Sequence, residues 1–256
     1  MSRAERVVIV TGAARGIGQA TVKKFLENGY QVIGVDIRDQ RDGGVEAEQS
    51  SGRYHLYNCD VSNEDQVKNL IDHVMGRHGR IDVLVNVAGV VVVKPLDETS
   101  WDDFQRLVNV NLGGTFLMCK HTLPIMREQG DASIINLGSV SGHVGQVDHA
   151  LYGATKGAII ALGRALAWEV APYNIRVNSI SPGSVDTPML RSDIEVEARR
   201  TGLPYNQVKA NRESEQAMHR WADPAEIAEA IYFMASAGAS FITGTDLLVD
   251  CGWVAK

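Results

Sequence analysis

The stretch Leu151 to Ile160, LYGATKGAII, sets a tyrosine and a lysine four residues apart among small and apolar side chains. Residues at that spacing project from one face of a helix, so the Tyr152 hydroxyl and the Lys156 ammonium can share one space. A phenol titrates near about 10 and is a poor acid or base at neutral pH, but a cation a few ångströms away stabilises the phenolate. Such a pair would make Tyr152 a proton donor or acceptor. Taken in isolation, the same residues also describe a helix whose tyrosine packs on the core while its lysine snorkels to solvent. A second constellation precedes this one. The segment TGAARGIG follows the apolar run VVIV and brings Gly12, Gly16 and Gly18 to a strand-to-helix turn. Glycines there allow a tight turn and close approach of backbone to a pyrophosphate, whose charge the helix N-terminus favours. The spacing is GxxxGxG, and a sharp bend alone would use the same residues; the order strand, loop, helix is what a dinucleotide cradle requires. About twenty residues on, the second apolar run ends at Asp36, where a carboxylate can accept both hydroxyls of an adenosine ribose. The competing reading is a solvated acid in a loop that also holds Arg38, Asp39, Arg41 and Asp42.

The elements that must position these groups alternate along the chain. Apolar runs at 7–10, 31–35, 54–58, 83–86, 133–137, 176–180 and 246–250 lack polar alternation, as strands covered on both faces do. Helical patterns occupy 16–28, 64–78, 100–128, 152–170 and 224–236. Repeated βα units imply an α/β fold of Rossmann type: a doubly wound, seven-stranded parallel sheet with helices on both faces. Right-handed crossovers gather the loops at the strands' carboxyl ends along one edge of that sheet. Neither a linker nor a repeat interrupts the pattern, so residues 1–256 are expected to form one domain. The departure from regularity is 188–219, which is polar, charged and broken by Pro204, and resembles a lid over a site.

Composition narrows the function classes. At 256 residues, 45% hydrophobic and 22% charged, the chain can bury one sizeable core. A net charge of −6 gives no basic footprint for nucleic acid and no polybasic handle for anionic lipid. Cys59, Cys119 and Cys251 are scattered and odd in number, which suggests neither a disulfide framework nor a zinc site, and no metal is expected. The N-terminus lacks the pattern of a signal peptide, and no run approaches the roughly eighteen apolar residues of a membrane span. A cytoplasmic protein is expected.

Across essentially its whole length the chain resembles the short-chain dehydrogenase/reductase family. TGAARGIG matches that family's cofactor loop, Cys59-Asp60-Val61 its acidic element after the third strand, and Asn86-Val87-Ala88-Gly89 its NAG motif. Pro182-Gly183-Ser184-Val185-Asp186-Thr187 fits the PGxxxT element that closes around the nicotinamide. The family's catalytic Asn, Ser, Tyr and Lys fall on Asn111, Ser139, Tyr152 and Lys156, with Ser139 thirteen residues before Tyr152. Gly138 stands where the family often has a second serine. The resemblance implies that Ser139 holds the substrate oxygen near Tyr152 and that Tyr152 exchanges the proton. Lys156 would lower the tyrosine pKa and bind the nicotinamide ribose, and Asn111 would support a water between Lys156 and solvent. The implied cofactor contacts are Gly12, Arg15, Gly16, Ile17, Gly18, Asp36, Ile37, Asp60, Val61, Asn86, Ala88, Gly89, Tyr152, Lys156, Pro182, Gly183, Val185 and Thr187.

Asp36 would repel a 2′-phosphate, so NAD is expected over NADP; Arg15, a basic residue inside the glycine loop, pulls the other way. Ser139, Val140, His149 and Ser184 are the expected substrate contacts, and His143 lies on the same segment. The presumed pocket segments also carry Ser141, Gln146, Asp186, Arg191 and Asn206 and few large aromatics, which suits a small hydroxylated substrate: a diol, a sugar or a cyclic alcohol. The sequence therefore reads as an NAD-dependent oxidoreductase interconverting a secondary alcohol and a ketone, a homotetramer by resemblance. Two other readings stay open: an NADPH-dependent 3-oxoacyl-thioester reductase, and a dinucleotide-binding regulator without turnover.

Overall fold

A computed structural model describes residues 5–38 and 52–255. Asp39, Arg41 and Asp42 lie outside the described residues. Seven strands form one parallel sheet: β1 (Val7–Thr11), β2 (Gln31–Asp36), β3 (Tyr54–Asn58), β4 (Val83–Asn86), β5 (Ala132–Leu137), β6 (Ile175–Pro182) and β7 (Asp246–Val249). Their order is β3-β2-β1-β4-β5-β6-β7. Among the described residues the α-helices are α1 (Gly16–Glu27), α2 (Glu64–His78), α3 (Trp101–Leu107), α4 (Gly114–Gln129), α5 (Ala150–Val170), α6 (Pro188–Thr201), α7 (Tyr205–Ser214) and α8 (Pro224–Ala235). Among the described residues, no helix is long and apolar enough to cross a membrane.

Strand pleating accounts for two cores. Successive side chains of β1 point to opposite faces, so Val7 and Ile9 join one apolar cluster and Val8 and Val10 the other. On the first face Val67, Leu70 and Val74 of α2, Met118 and Met126 of α4, and Leu166 and Val170 of α5 cover the sheet. On the second, Val22 and Phe25 of α1 meet Ile227, Ile231 and Met234 of α8. Burying each such side chain contributes about 1.5–3 kcal/mol, which holds the continuous apolar strands between two helical layers. Phe25, Tyr30 and Tyr232 pack edge to face at 5.0–6.4 Å between centroids.

Polar side chains fix the ends. Asn63 accepts the Gln66 N–H to start α2, and Gly79 stops it in the left-handed conformation at φ 68°. Asp223 and Glu226 form a capping box at α8, with Pro224 in its first turn. The Arg176 guanidinium on β6 donates to the Met234, Ala235 and Ser236 carbonyls and so closes the far end of α8. Asp82, buried just before β4, accepts from Arg80 at 2.9 and 2.5 Å and from the Val7 N–H at 2.7 Å.

Two expectations need correction. The helix expected over 100–128 is α3 and α4 joined by a π-helical turn, Val108–Gly113. The wider turn rotates α4 relative to α3, and apolar periodicity gives no sign of one inserted residue. Residues 188–219 are also more regular than their polarity suggested: Thr187 caps α6 through the Leu190 N–H, and Pro204 caps α7 rather than breaking structure.

Candidate active site

The strand order reverses direction between β1 and β4, and a cavity of about 710 Å³ opens at the carboxyl ends of the strands around that point. One end is built by the turn from β1 into α1. Gly12 sits at φ 67°, and a Cβ there would come within 3.0 Å of the Ala88 backbone. A Cβ on Gly18 would run into the Gly12 carbonyl oxygen, so only glycine lets α1 begin this close to its own strand. Thr11 accepts the Val87 and Ala88 N–H groups at 3.0 Å each and draws the loop after β4 against the same turn. The Arg15 side chain at the N-cap makes no capping bond and the first turn of α1 holds no acid, which leaves the positive end of the helix for an anionic group. The Asp36 oxygens accept the Ala14 N–H at 3.0 Å and the Arg38 N–H at 3.1 Å. A carboxylate has about four acceptor sites, so Asp36 can fasten the loop and still receive ribose hydroxyls. These residues fit a dinucleotide: a glycine cradle, an open helix terminus and an acid at the next strand end.

At the other end Ser139 follows β5 and Tyr152 lies in the first turn of α5. Ser139 accepts the Ser141 N–H at 3.1 Å and hydrogen-bonds the Tyr152 side chain. Small residues bring the helix close, since a Cβ on Gly153 would overlap the Ser141 carbonyl oxygen. Gly138 has its own reason: a Cβ there would strike the Ser181 hydroxyl, so a second serine would require that side chain to shift. Burial pushes the Tyr152 phenol up to about 12, against the lowering effect of the Ser139 hydrogen bond and with a further upward push from Asp193. Burial also pushes the Lys156 ammonium down to about 8. The expected depression of the tyrosine by the lysine is absent from this arrangement. The Lys156 ammonium donates to the Leu137 carbonyl at 2.7 Å and stands 5.7 Å from the centre of the tyrosine ring.

Of the residues singled out in the sequence, most line this one cavity: Gly12, Arg15, Gly16, Ile17, Gly18, Asp36, Ile37, Asp60, Val61, Ala88, Gly89, Ser139, Val140, His149, Tyr152, Pro182, Gly183, Ser184, Val185 and Thr187. Asn86, Asn111 and Lys156 sit behind its wall. Asn86 donates to Asn136 across β4 and β5 at 2.9 Å. Asn111, presented by the π-helical turn, accepts the Val90 N–H at 2.8 Å and donates to the Val90 carbonyl and the Thr155 hydroxyl. It thereby ties the loop after β4 to α5. His143 is outside the cavity because its ring bonds Asp246 at 2.6 Å. Asp186 and Arg191 pair with each other at 2.7 and 2.9 Å away from it, and Asn206 is exposed. Asp193 and Arg212 line the cavity from α6 and α7, and Trp253 from beyond β7. Among the many charges of 188–219 no spacing marks those two, and nothing in the sequence near Trp253 points inward.

A family model described as enoyl-(acyl carrier protein) reductase matches residues 12–254. The chain is 39% identical to a cis-4-hydroxycyclohexanecarboxylate dehydrogenase of Sinomonas cyclohexanicum, over 98% of both proteins. It is 40% identical to an L-fucose dehydrogenase of Oryctolagus cuniculus, over 97% of this chain and 85% of that one. A 3-oxoacyl-[acyl-carrier-protein] reductase of Thermotoga maritima is 37% identical, over 97% and 98%. Among solved structures, ligand-free aldohexose dehydrogenase of Thermoplasma acidophilum superposes with a TM-score of 0.89 at 36% identity, over 98% of this chain and 95% of that one. A structure of ElxO with NADP bound superposes at 0.85 and 30% identity, over 98% and 100%. With the parallel sheet, the glycine cradle and the serine–tyrosine pair in one cavity, this similarity along nearly the full length shows that the chain belongs to the short-chain dehydrogenase/reductase family, oxidoreductases of alcohol and ketone groups that bind a nicotinamide dinucleotide.

Proposed function

We propose that this protein is an NAD-dependent dehydrogenase that interconverts a secondary alcohol, of the diol, sugar or cyclic class, with its ketone. The observation that carries the reading is the Ser139–Tyr152 hydrogen bond, which sits in the same cavity as the glycine cradle, with Lys156 buried directly behind it. The nicotinamide ring of the bound dinucleotide supplies hydride chemistry. The chain does the rest. Ser139 donates to the substrate oxygen and fixes it beside Tyr152. A phenol pushed up to about 12 keeps its proton at neutral pH, so Tyr152 is set to give it to a ketone oxygen. In the oxidising direction Tyr152 must first give up its own proton and then, as the phenolate, take the alcohol proton. An ammonium brought down to about 8 can lose its proton to solvent near working pH, and the resulting Lys156 amine is the group that would receive the tyrosine proton. Asn111 holds the loop after β4 in register with α5, and residues 188–219 close over the substrate as a lid within one domain of residues 1–256.

NAD is favoured because the Asp36 carboxylate, at the end of β2, would face a 2′-phosphate. A second reading rests on Arg15 and Arg38, which line the same end of the cavity, and on the NADP held by the ElxO structure. It is an NADPH-dependent 3-oxoacyl-thioester reductase like the Thermotoga relative. The two separate in one assay: reduced-cofactor absorbance with NAD or NADP against a panel of diols, sugars, cyclic alcohols and 3-hydroxyacyl thioesters. The expected result is turnover of the first three with NAD and, in Tyr152→Phe, a loss of at least about a hundredfold with the fold intact. Preference for NADP and thioesters would establish the second reading instead.

A further inference from the structure

The lid contributes a carboxyl group that the proposed chemistry does not use. Asp193 of α6 lines the cavity and, among the described residues, makes no hydrogen bond or ion pair. Its charge is felt at Tyr152, so it stands at the reactive end. Arg212, which also lines the cavity, is already held by Glu197 at 3.1 and 2.7 Å, with Glu215 at 3.8 Å. It is therefore not free to bond Asp193.

His149 faces the same space. Its ring meets Tyr152 edge to face at 6.2 Å, and Nδ1 lies 2.7 Å from the Val147 carbonyl oxygen. A carbonyl only accepts, so Nδ1 carries the hydrogen. Burial holds the ring below its ordinary pKa and hence neutral, which leaves Nε2 a bare acceptor. The reactive end of the cavity thus carries two acceptors for which the described chain supplies no donor.

We propose that Asp193 and His149 form a subsite that reads a second hydroxyl on the substrate, next to the one that reacts. Hydroxyls suit it better than charged groups. A carboxylate would meet Asp193, and an ammonium would meet Arg212, which lines the same cavity. A hydroxyl both donates and accepts, so it satisfies Asp193 in either protonation state, and burial brings that acid up to about 7, where both states are present. Leaving such a group unpaired beneath an apolar ring is costly, which is how a polar site discriminates.

The inference rests on the secondary-alcohol reading and sharpens its substrate class. The test compares kcat/KM for vicinal cyclohexanediol, cyclohexanol and vicinal aminocyclohexanol in the wild-type enzyme, Asp193→Leu and His149→Phe, with melting temperature as the folding control. We expect the wild type to favour the diol over cyclohexanol by about tenfold or more, and Asp193→Leu to bring that ratio close to one through KM rather than kcat. His149→Phe should cut the ratio several-fold, and it decides the matter if the leucine variant does not fold. The inference is overturned if both ratios hold, if diol and cyclohexanol activities fall together, or if the amino alcohol is the better substrate. A wild type that turns over none of the three with either cofactor removes the secondary-alcohol reading itself, and the subsite with it.

Discussion

Lys156 is an ammonium that folding has moved out of water. Its pKa falls from 10.5 to about 8, a shift that corresponds to a cost of about 3 kcal/mol at neutral pH, since each unit is about 1.4 kcal/mol. Part of that cost is offset by the bond to the Leu137 carbonyl. Lys156→Met should therefore abolish turnover while leaving the melting temperature equal to or a few degrees above wild type, a combination that calorimetry beside a rate assay would detect. The pH dependence has a definite sign. Between about 8 and 10.5 the unfolded chain binds the extra proton, so wild-type stability rises through that window and any advantage of the methionine variant shrinks. A variant that is inactive and strongly destabilised at pH 7 would mean that the ammonium is structural. The pairing of Tyr152 with Lys156 was legible from their spacing of four. The direction of the tyrosine shift was not, because it depends on how deeply distant segments bury the ring, and that is not written in the local sequence.

At the scale of elements, the start of β4 is held by charge. Asp82 is 1% exposed and takes hydrogen bonds from Arg80 and Val7, with Arg6 3.6 Å away. Removing one partner of a buried pair leaves the others without compensation, so Asp82→Ala should cost about 3–5 kcal/mol, read as a lower denaturant midpoint, with substrate KM unchanged in the folded fraction. A loss under about 1 kcal/mol would show the network to be solvent-screened. The strands were legible because parallel strands covered on both faces are continuously apolar, and each stands within two residues of its expected limits. The π-helical turn at Val108–Gly113 was not legible. Its reason lies in three bonds from Asn111 to Val90 and Thr155, residues 21 and 44 positions away. The two helices within 188–219 were hidden for a related reason, since their polar sequences bury little beyond Ile194 and Val208.

At the scale of the molecule, large apolar side chains remain on the outside: Trp168 is 87% exposed, Trp101 68%, Phe116 48% and Phe233 46%. That surface, with the family resemblance, underlies our proposal of a homotetramer. Light scattering at working concentration should give four times the 27.8 kDa chain mass, and a monomeric mass would refute it. The overall plan of the sheet was open to inference from the repeated βα units and the crossover rule, whereas a surface for subunit contact has no comparable signature. The strand order also sets the timing of folding. β1 lies between β2 and β4, and Val8 pairs with Val83, 75 residues later. A ribosome releasing residues in sequence exposes β1 well before β4 exists to flank it. For that interval one edge of a strand with four successive apolar residues has no partner, a state that favours aggregation and that slow, long-range pairing prolongs.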